Sequence, residues 1–351
     1  MKYFLLPISW LYGAIVACRN KAFDLGLLRS ENVGVPVISV GNMTMGGTGK
    51  TPLVEYIVAM CIERGRRVAV VSRGYKRESK GVLVVSDGKQ VSVDALRGGD
   101  EPVQIARKYR RAIVVVGERR VEAARKSVKE LHADVIVLDD GFQHRYLQRD
   151  LDIVVLYSRR DLFATPMIPA GERRETMKGL RRSHLMAFSH TDAGGHGGGW
   201  SERLGSKFSA PKIKYRYKLD RIMQTGSDKN MTPRDLKGKQ MLLLSGIGDH
   251  EGFVRQMSMA GIEVAGEIKF PDHHSYTSAD LRMVMERLTQ KGADGVLTTE
   301  KDYVRLSGNM TIFNRLNQRC PVFYAGIVVE VLDGKPTLDS MIDRCLARRV
   351  A

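Results

Sequence analysis

The stretch VISVGNMTMGGTGKT, residues 37–51, restricts what this chain can fold into more than any other. The β-branched run of Val37, Ile38 and Val40 reads as a buried parallel strand, and a glycine-rich turn follows it. Lys50 and Thr51 then open a helix whose apolar positions are Leu53, Val54, Ile57 and Val58. Strand, turn and helix in this order make a phosphate cradle. Glycines let backbone N–H groups close round anionic oxygens, and the helix N-terminus adds partial positive charge. Gly46, Gly47, Thr48 and Gly49 then wrap a triphosphate, Lys50 reaches its terminal phosphates and the Thr51 hydroxyl ligates Mg²⁺. The fit to G-x-x-x-x-G-K-[ST] is incomplete, because Thr44 stands at the first glycine position. A glycine-rich turn before an ordinary helix is the plain alternative.

The segments 68–72, 113–116, 135–140, 151–157 and 185–189 read as further buried strands, with a helix over 120–131 returning across the sheet. This predicts an α/β fold: a phosphate-loop domain whose mostly parallel sheet is flanked by helices. In such sheets ligands bind at the carboxyl ends of the strands. SRGYKR puts Arg73, Gly74 and Tyr75 at one such end, and VIVLDD puts Asp139, then Asp140, at another. A carboxylate there can hold the water shell of Mg²⁺, the alternative being two acids that cap the next turn. RGGDEP, residues 97–102, makes a sharp turn projecting Asp100 and Glu101, and serves equally as the start of a helix from Pro102. PAGERRE, 169–175, is a loop suited to nucleotide, to a phosphorylated substrate or to solvent.

DAGGHGGGW, 192–200, reads as a flexible insert at a domain boundary, since such a sequence is costly to order. His190 and His196 have no ligand partners at metal spacing. The expected division is an amphipathic membrane-associated helix in 1–30, the phosphate-loop domain in 31–210 and a smaller α/β domain in 211–351. The last contains strands at 212–218, 241–245, 263–270, 295–298, 321–324 and 327–331. Helices start at His250 and after Thr277 or Ser278. Gly246 and Gly248 complete no dinucleotide motif, so no second nucleotide site is expected.

The N-terminal stretch is uncharged from Tyr3 to Cys18. As a helix it spans about 24 Å, short of the roughly 30 Å hydrocarbon core. Phe4, Ile8, Leu11 and Ile15 share a face, Trp10 and Tyr12 suit an interface, and Lys2, Arg19 and Lys21 flank it. That pattern fits a helix lying partly in a membrane surface. Burial against the protein's own core and a short transmembrane anchor are the alternatives. The net charge of +17 calls for an anionic partner or a solvated basic surface. No aromatic-and-basic recognition motif accompanies it, which argues against nucleic acid. Cys18, Cys61, Cys320 and Cys345 form no C-x-x-C pair, which favours neither zinc nor disulfides and fits a reducing compartment.

GNMTMGGTGKTP, SRGYKR, GGDEP, VLDDGFQHR, PAGERRE, FPDHH and TTEKD, in this order, resemble the tetraacyldisaccharide 4′-kinase family of lipid A biosynthesis. The resemblance runs over nearly the whole chain. It implies that ATP and Mg²⁺ are used to phosphorylate the 4′-hydroxyl of a tetraacylated glucosamine disaccharide 1-phosphate, forming lipid IVA. It also implies a peripheral enzyme at the cytoplasmic face of the bacterial inner membrane. By motif, Lys50 and Thr51 bind triphosphate and metal, Asp139 and Asp140 sit at the Mg²⁺, Asp100 is the general base, and His273 pairs with it from the second domain. Glu101, Arg120 and Glu175 match further active-site positions. PAGERRE departs from the family by lacking Pro-Leu between Gly and Arg, His190 stands where a Lys is expected, and the glycine-rich insert at 194–199 is peculiar to this chain. Partitioning or septum-site ATPases, the rival class, resemble K-G-G-x-G-K-[ST], and here Met45 replaces their first lysine.

Overall fold

The computed structural model describes residues 2–46, 49–191, 199–227 and 229–348, so Gly47, Thr48 and most of the glycine-rich insert lie outside the described residues. A 3₁₀ turn leads into α1 (Leu6–Asp24). There follow β1 (Val37–Asn42), α2 (Lys50–Glu63), β2 (Val68–Ser72), β3 (Leu83–Asp87), α3 (Ala95–Gly98), α4 (Asp100–Lys108) and β4 (Ile113–Val116). Next come α5 (Arg120–Lys129), β5 (Val135–Asp139), β6 (Leu151–Tyr157), β7 (Leu185–Ser189) and α6 (Trp200–Lys207). The chain continues with β8 (Lys212–Gln224), β9 (Asn230–Met231), β10 (Gln240–Ser245), α7 (His250–Met259), β11 (Glu263–Lys269) and α8 (Ser278–Lys291). It ends with β12 (Gly295–Thr299), α9 (Glu300–Gly308), α10 (Met310–Arg319), β13 (Val322–Asp333) and α11 (Lys335–Ala347).

All strands join one sheet in the order β11-β10-β12-β13-β8-β7-β6-β1-β5-β2-β4-β3, with β9 paired to β8. Strands β8, β7, β6, β1, β5, β2 and β4 are mutually parallel, as are β11, β10, β12 and β13. The interior strands of the first set are buried along their whole length, which explains why they read as unbroken apolar runs. Helix α2 covers one face with Leu53, Val54, Ile57, Val58 and Cys61, all fully buried.

The two sets meet in antiparallel fashion along β8 and β13, a ribbon of 13 and 12 residues. At roughly 3.3 Å per residue its length is about 40 Å. Strand β7 pairs with the start of β8, at 212–214, while β12 pairs with the start of β13, at 322–325. Because the two long strands run in opposite directions, the carboxyl edges of both sets face the middle of the ribbon. The runs 321–324 and 327–331, expected as two strands, are one strand whose register shifts between Gly326 and Ile327. The glycine splits the apolar pattern without ending the ladder.

Helix α1 lies on the surface inverted relative to a core helix. Ser9, Val16, Asn20 and Phe23 face the protein, whereas Ile8, Trp10, Leu11 and Ile15, with Phe4 in the preceding 3₁₀ turn, are all more than half exposed. Among the described residues no helix is long and apolar enough to cross a membrane.

Close approach between β1 and the turn after β5 sets the position of Asp139 and Asp140. A Cβ on Gly41 would lie 2.5 Å from the Phe142 amide nitrogen. Gly41→Ala is therefore expected to cost about 1–3 kcal/mol, read as a lower Tm in thermal melts. Phe142 can yield only by moving the turn that carries the two carboxylates, because the clash is with its backbone nitrogen.

Candidate active site

The two carboxyl edges enclose a cleft of about 1780 Å³. Gly46, Gly49, Lys50, Thr51, Asp139, Asp140, Arg120, Glu101 and His273 all line it, so most residues singled out in the sequence converge there. Gly47 and Thr48 lie outside the described residues.

At the phosphate end, Gly49 takes φ +78° and forms the N-terminal boundary of α2. Tyr215 and Tyr217, two residues apart and hence on one face of β8, both donate their hydroxyls to the Gly49 carbonyl at 3.2 and 3.1 Å. Thr44 forms an extended bridge to Arg173, and the Met45 amide donates to the Glu172 carbonyl at 2.7 Å. The PAGERRE loop thus straps the start of the phosphate loop. Thr44 has no positive φ, so a glycine is not required at that position.

The adjacent carboxylates behave differently. Asp140, itself at φ +51°, accepts two hydrogen bonds from Arg174, at 2.9 and 2.7 Å, and faces Lys50 Nζ at 3.5 Å. Burial raises its pKa, but Lys50, Arg174 and Arg120 outweigh this and hold it well below the usual carboxylate range. Asp139 accepts from Ser72 Oγ at 3.0 Å. Burial, then the charge of Asp140, pushes it up to about 6. Arg120 approaches the Asp140 carbonyl at 3.4 Å, and its buried Nε has no hydrogen-bond partner among the described residues. His144, in the same wall, is pushed down to about 4 by burial and by Arg120 and Arg149, so it is neutral at pH 7.

Across the cleft, α4 presents Asp100 and Glu101 in its first turn, and the loop after β11 presents His273 at φ +61°. His273 Nδ1 lies 3.0 Å from Asp100 Oδ2, and Arg305 Nε donates to the same oxygen at 2.5 Å. Lys301 pairs with Glu101 at 2.7 Å. Lys301 and Arg305 are one turn apart on α9, so one helix face supplies both cations. Fully buried Asp302 holds the frame by accepting from the Gly246 amide and the Tyr276 hydroxyl. Burial raises Asp100 and Glu101, but His273, Arg305 and Lys301 outweigh it and hold both below their ordinary values. These three carboxylate and imidazole groups lie close enough to hold a cation, but the two basic side chains already neutralise them.

Glu175 is placed elsewhere. It is fully buried outside the cleft lining, accepting from Asn20 of α1 and from Arg182, both at 2.7 Å. His190 does line the cleft. Its ring lies edge-on to Tyr157 and Tyr217, and its Nε2 is 3.2 Å from Asp249 Oδ2. Sequence reading missed the parts played by Arg174, Arg305, Lys301 and the two tyrosines. The alternation of KIKYRYK and the spacing within TTEKDYVR carried that signal.

A family model described as tetraacyldisaccharide-1-P 4′-kinase, LpxK, matches residues 1–347. A tetraacyldisaccharide 4′-kinase of Chlorobaculum tepidum is 37% identical over 348 residues, 98% of this chain and 97% of that protein. One from Anaeromyxobacter dehalogenans is 38% identical over 302 residues, covering 84% and 79%. The crystal structure of LpxK from Aquifex aeolicus in complex with ATP superposes with a TM-score of 0.80 at 31% identity, covering 98% of this chain and 99% of that one.

The depressed carboxylates predict the direction of acid sensitivity. Groups whose folded pKa lies below the unfolded value stabilise the fold above about pH 4.5, and that contribution is lost as pH falls through the folded value. Thermal melts between pH 6 and 3 should show Tm falling with acidity, with a shallower slope in an Asp100→Asn/Glu101→Gln protein.

Proposed function

The chain belongs to the tetraacyldisaccharide-1-phosphate 4′-kinase family, and on that premise we propose how its residues divide the reaction. The activity is ATP-dependent 4′-phosphorylation of tetraacyldisaccharide 1-phosphate in lipid A biosynthesis. A partitioning-type ATPase is not favoured, since the family match spans residues 1–347.

One observation supports the assignment of the acceptor chemistry: His273, whose Nδ1 lies 3.0 Å from Asp100 Oδ2, lines the same cleft as Lys50, Thr51 and Asp139. The N-terminus of α2, Gly46, Gly49 and Lys50 hold the triphosphate, and Lys50 neutralises charge as the γ-phosphoryl leaves. Asp100 is the general base. His273 and Arg305 both engage its Oδ2, which leaves Oδ1 to take the proton of the incoming 4′-hydroxyl. Arg120 adds positive charge from the facing wall, and Glu101 anchors Lys301. Glu175 acts indirectly, by fixing the loop that carries Arg174 against α1.

Mg²⁺ fits the opposite wall. Thr51 and Asp139 are oxygen donors suited to a hard dication, and a carboxylate raised to about 6 by burial is one that a cation would bring back into its charged form. Asp140 is already engaged by Arg174 and Lys50, so Asp139 is the carboxylate with capacity to spare. When bound there, the ion would supply positive charge to offset that of the triphosphate.

The protein is further proposed to be peripheral, at the cytoplasmic face of the inner membrane. The exposed apolar face of α1 is the surface that meets lipid, supported by the net charge of +17 against anionic headgroups.

Transfer of labelled γ-phosphate from ATP to the tetraacylated disaccharide 1-phosphate in detergent micelles tests the whole reading. ATP hydrolysis indifferent to that lipid, with no labelled product, would sink it. Asp100→Asn should lower kcat by about 10²–10⁴-fold while ATP binding stays within a few-fold. Trp10→Ser/Leu11→Ser/Ile15→Ser should reduce partitioning onto anionic vesicles by roughly tenfold or more. Unchanged sedimentation with vesicles would remove α1 from the membrane.

A further inference from the structure

One buried charged cluster has no part in the chemistry above. Lys108, in the last turn of α4, is 5% exposed in its side chain. Its Nζ donates to Glu55 Oε2 at 2.7 Å and to the Ile327 carbonyl at 2.9 Å, and faces Glu300 Oε2 at 3.4 Å. Gln104 Nε2 donates to the other Glu55 oxygen at 2.8 Å, and Arg221 donates to Glu300 Oε1 at 3.0 Å. Two carboxylates and two cations thus cancel inside the protein.

Four elements meet at this ammonium, and three of them lead directly into the reaction centre. Glu55 lies on α2, whose first residues are Lys50 and Thr51. Asp100, Gln104 and Lys108 stand at i, i+4 and i+8 of α4 and so share one helix face. Glu300 opens α9, and the next residue, Lys301, pairs with Glu101, while Arg305 pairs with Asp100. Ile327 is the residue at which the ribbon shifts register.

A buried ionic cluster is weak evidence for stability, since well-packed apolar side chains often serve as well. What the ammonium adds is direction: its two hydrogen-bond acceptors, Glu55 and the Ile327 carbonyl, and its ion-pair partner Glu300 come from three elements besides its own. We infer that Lys108, with Glu55 and Glu300, is a positioning residue for phosphoryl transfer. It fixes the spacing between Asp100 at the head of α4 and the phosphate-holding end of α2. The inference rests on the reading of Asp100 as the base. Small displacements matter here, because a misplacement of about 1 Å can cost 10²-fold in rate.

Glu55 is pushed up by burial and held down chiefly by Lys108, so removing the lysine alone would leave a buried carboxylate without its counter-charge. The test therefore removes both charges together. Glu55→Gln/Lys108→Met leaves the Glu300–Arg221 pair in place and keeps the cluster neutral. The full-length double variant should melt cooperatively and keep its KM for ATP within about threefold, with kcat lowered about 30-fold or more. Lys108→Arg, which keeps the charge, should recover at least about a third of wild-type kcat. In an Asp100→Asn background the same double change should cost no more than about threefold further, because two residues acting through one step are not additive.

A folded double variant of wild-type kcat overturns the inference, as does an equal loss in both backgrounds. A rise in KM for ATP with kcat unchanged does so too. An Asp100→Asn enzyme of near-normal turnover overturns the base assignment, and the inference with it. Should the double variant lose its cooperative melt, Glu300→Gln carries the same readout: kcat lowered with KM retained supports positioning, and unaltered kcat overturns it.

Discussion

The antiparallel pairing of β8 with β13 is the constraint from which the site follows. Parallel α/β sheets place their binding edge at the carboxyl ends of the strands. Two such sheets joined edge to edge in one direction would put both edges along one rim, facing solvent. Here the join reverses direction, and each sheet is attached near the start of its own long strand. The two rims therefore face one another across the ribbon's midpoint. The ribbon also shapes the site directly, since Tyr215 and Tyr217 hold the Gly49 carbonyl and Ile327 offers its carbonyl to Lys108.

Facing rims bring like charges together, and the structure resolves this in two ways. On the phosphate side, Arg174 and Lys50 take Asp140, leaving Asp139 beside it in a buried setting that favours its protonated form. On the acceptor side, Lys301 and Arg305 arrive from one helix face to meet Glu101 and Asp100. The cations and carboxylates of each group are contributed by different elements. Fully buried Asp302 holds the Gly246 turn, whose carbonyl accepts from both Arg305 and the His273 amide. His273 is thus kept at φ +61° by contacts on both sides of the ring and along the backbone.

The interior strands of the first sheet were legible because they are buried on both faces, and 113–116, 151–157 and 185–189 coincide with observed strands. The pair Asp139-Asp140 was legible as a strand end. Its unequal electrostatics was not, because Arg174 comes from a loop 34 residues away in sequence from Asp140. The same holds for Asp100 and His273, whose separation of 173 residues is bridged only by the folded ribbon. Local sequence could make Asp100 a turn residue or a base with equal ease, and family resemblance, not periodicity, paired it with His273. Thr44 looked like a defect in the phosphate loop when judged against a motif. Its bridge to Arg173 and its lack of a positive φ show extended backbone at a position that needs no glycine.

As the proposed base, Asp100 with its depressed pKa is at first sight ill suited to a sugar hydroxyl. Phosphoryl transfer, however, passes through a loose transition state in most analyses, in which the nucleophile carries little extra acidity until late. The demand on the carboxylate is then to be ionised, aimed and free of competing protons throughout the neutral range. His273 and Arg305 meet all three requirements by holding one oxygen and lowering the pKa. The same two partners can carry part of the charge redistribution when the proton does arrive, since both remain hydrogen-bonded to the carboxyl group. Placement, more than basicity, is what the acceptor side supplies, and placement is set by the elements that hold α4.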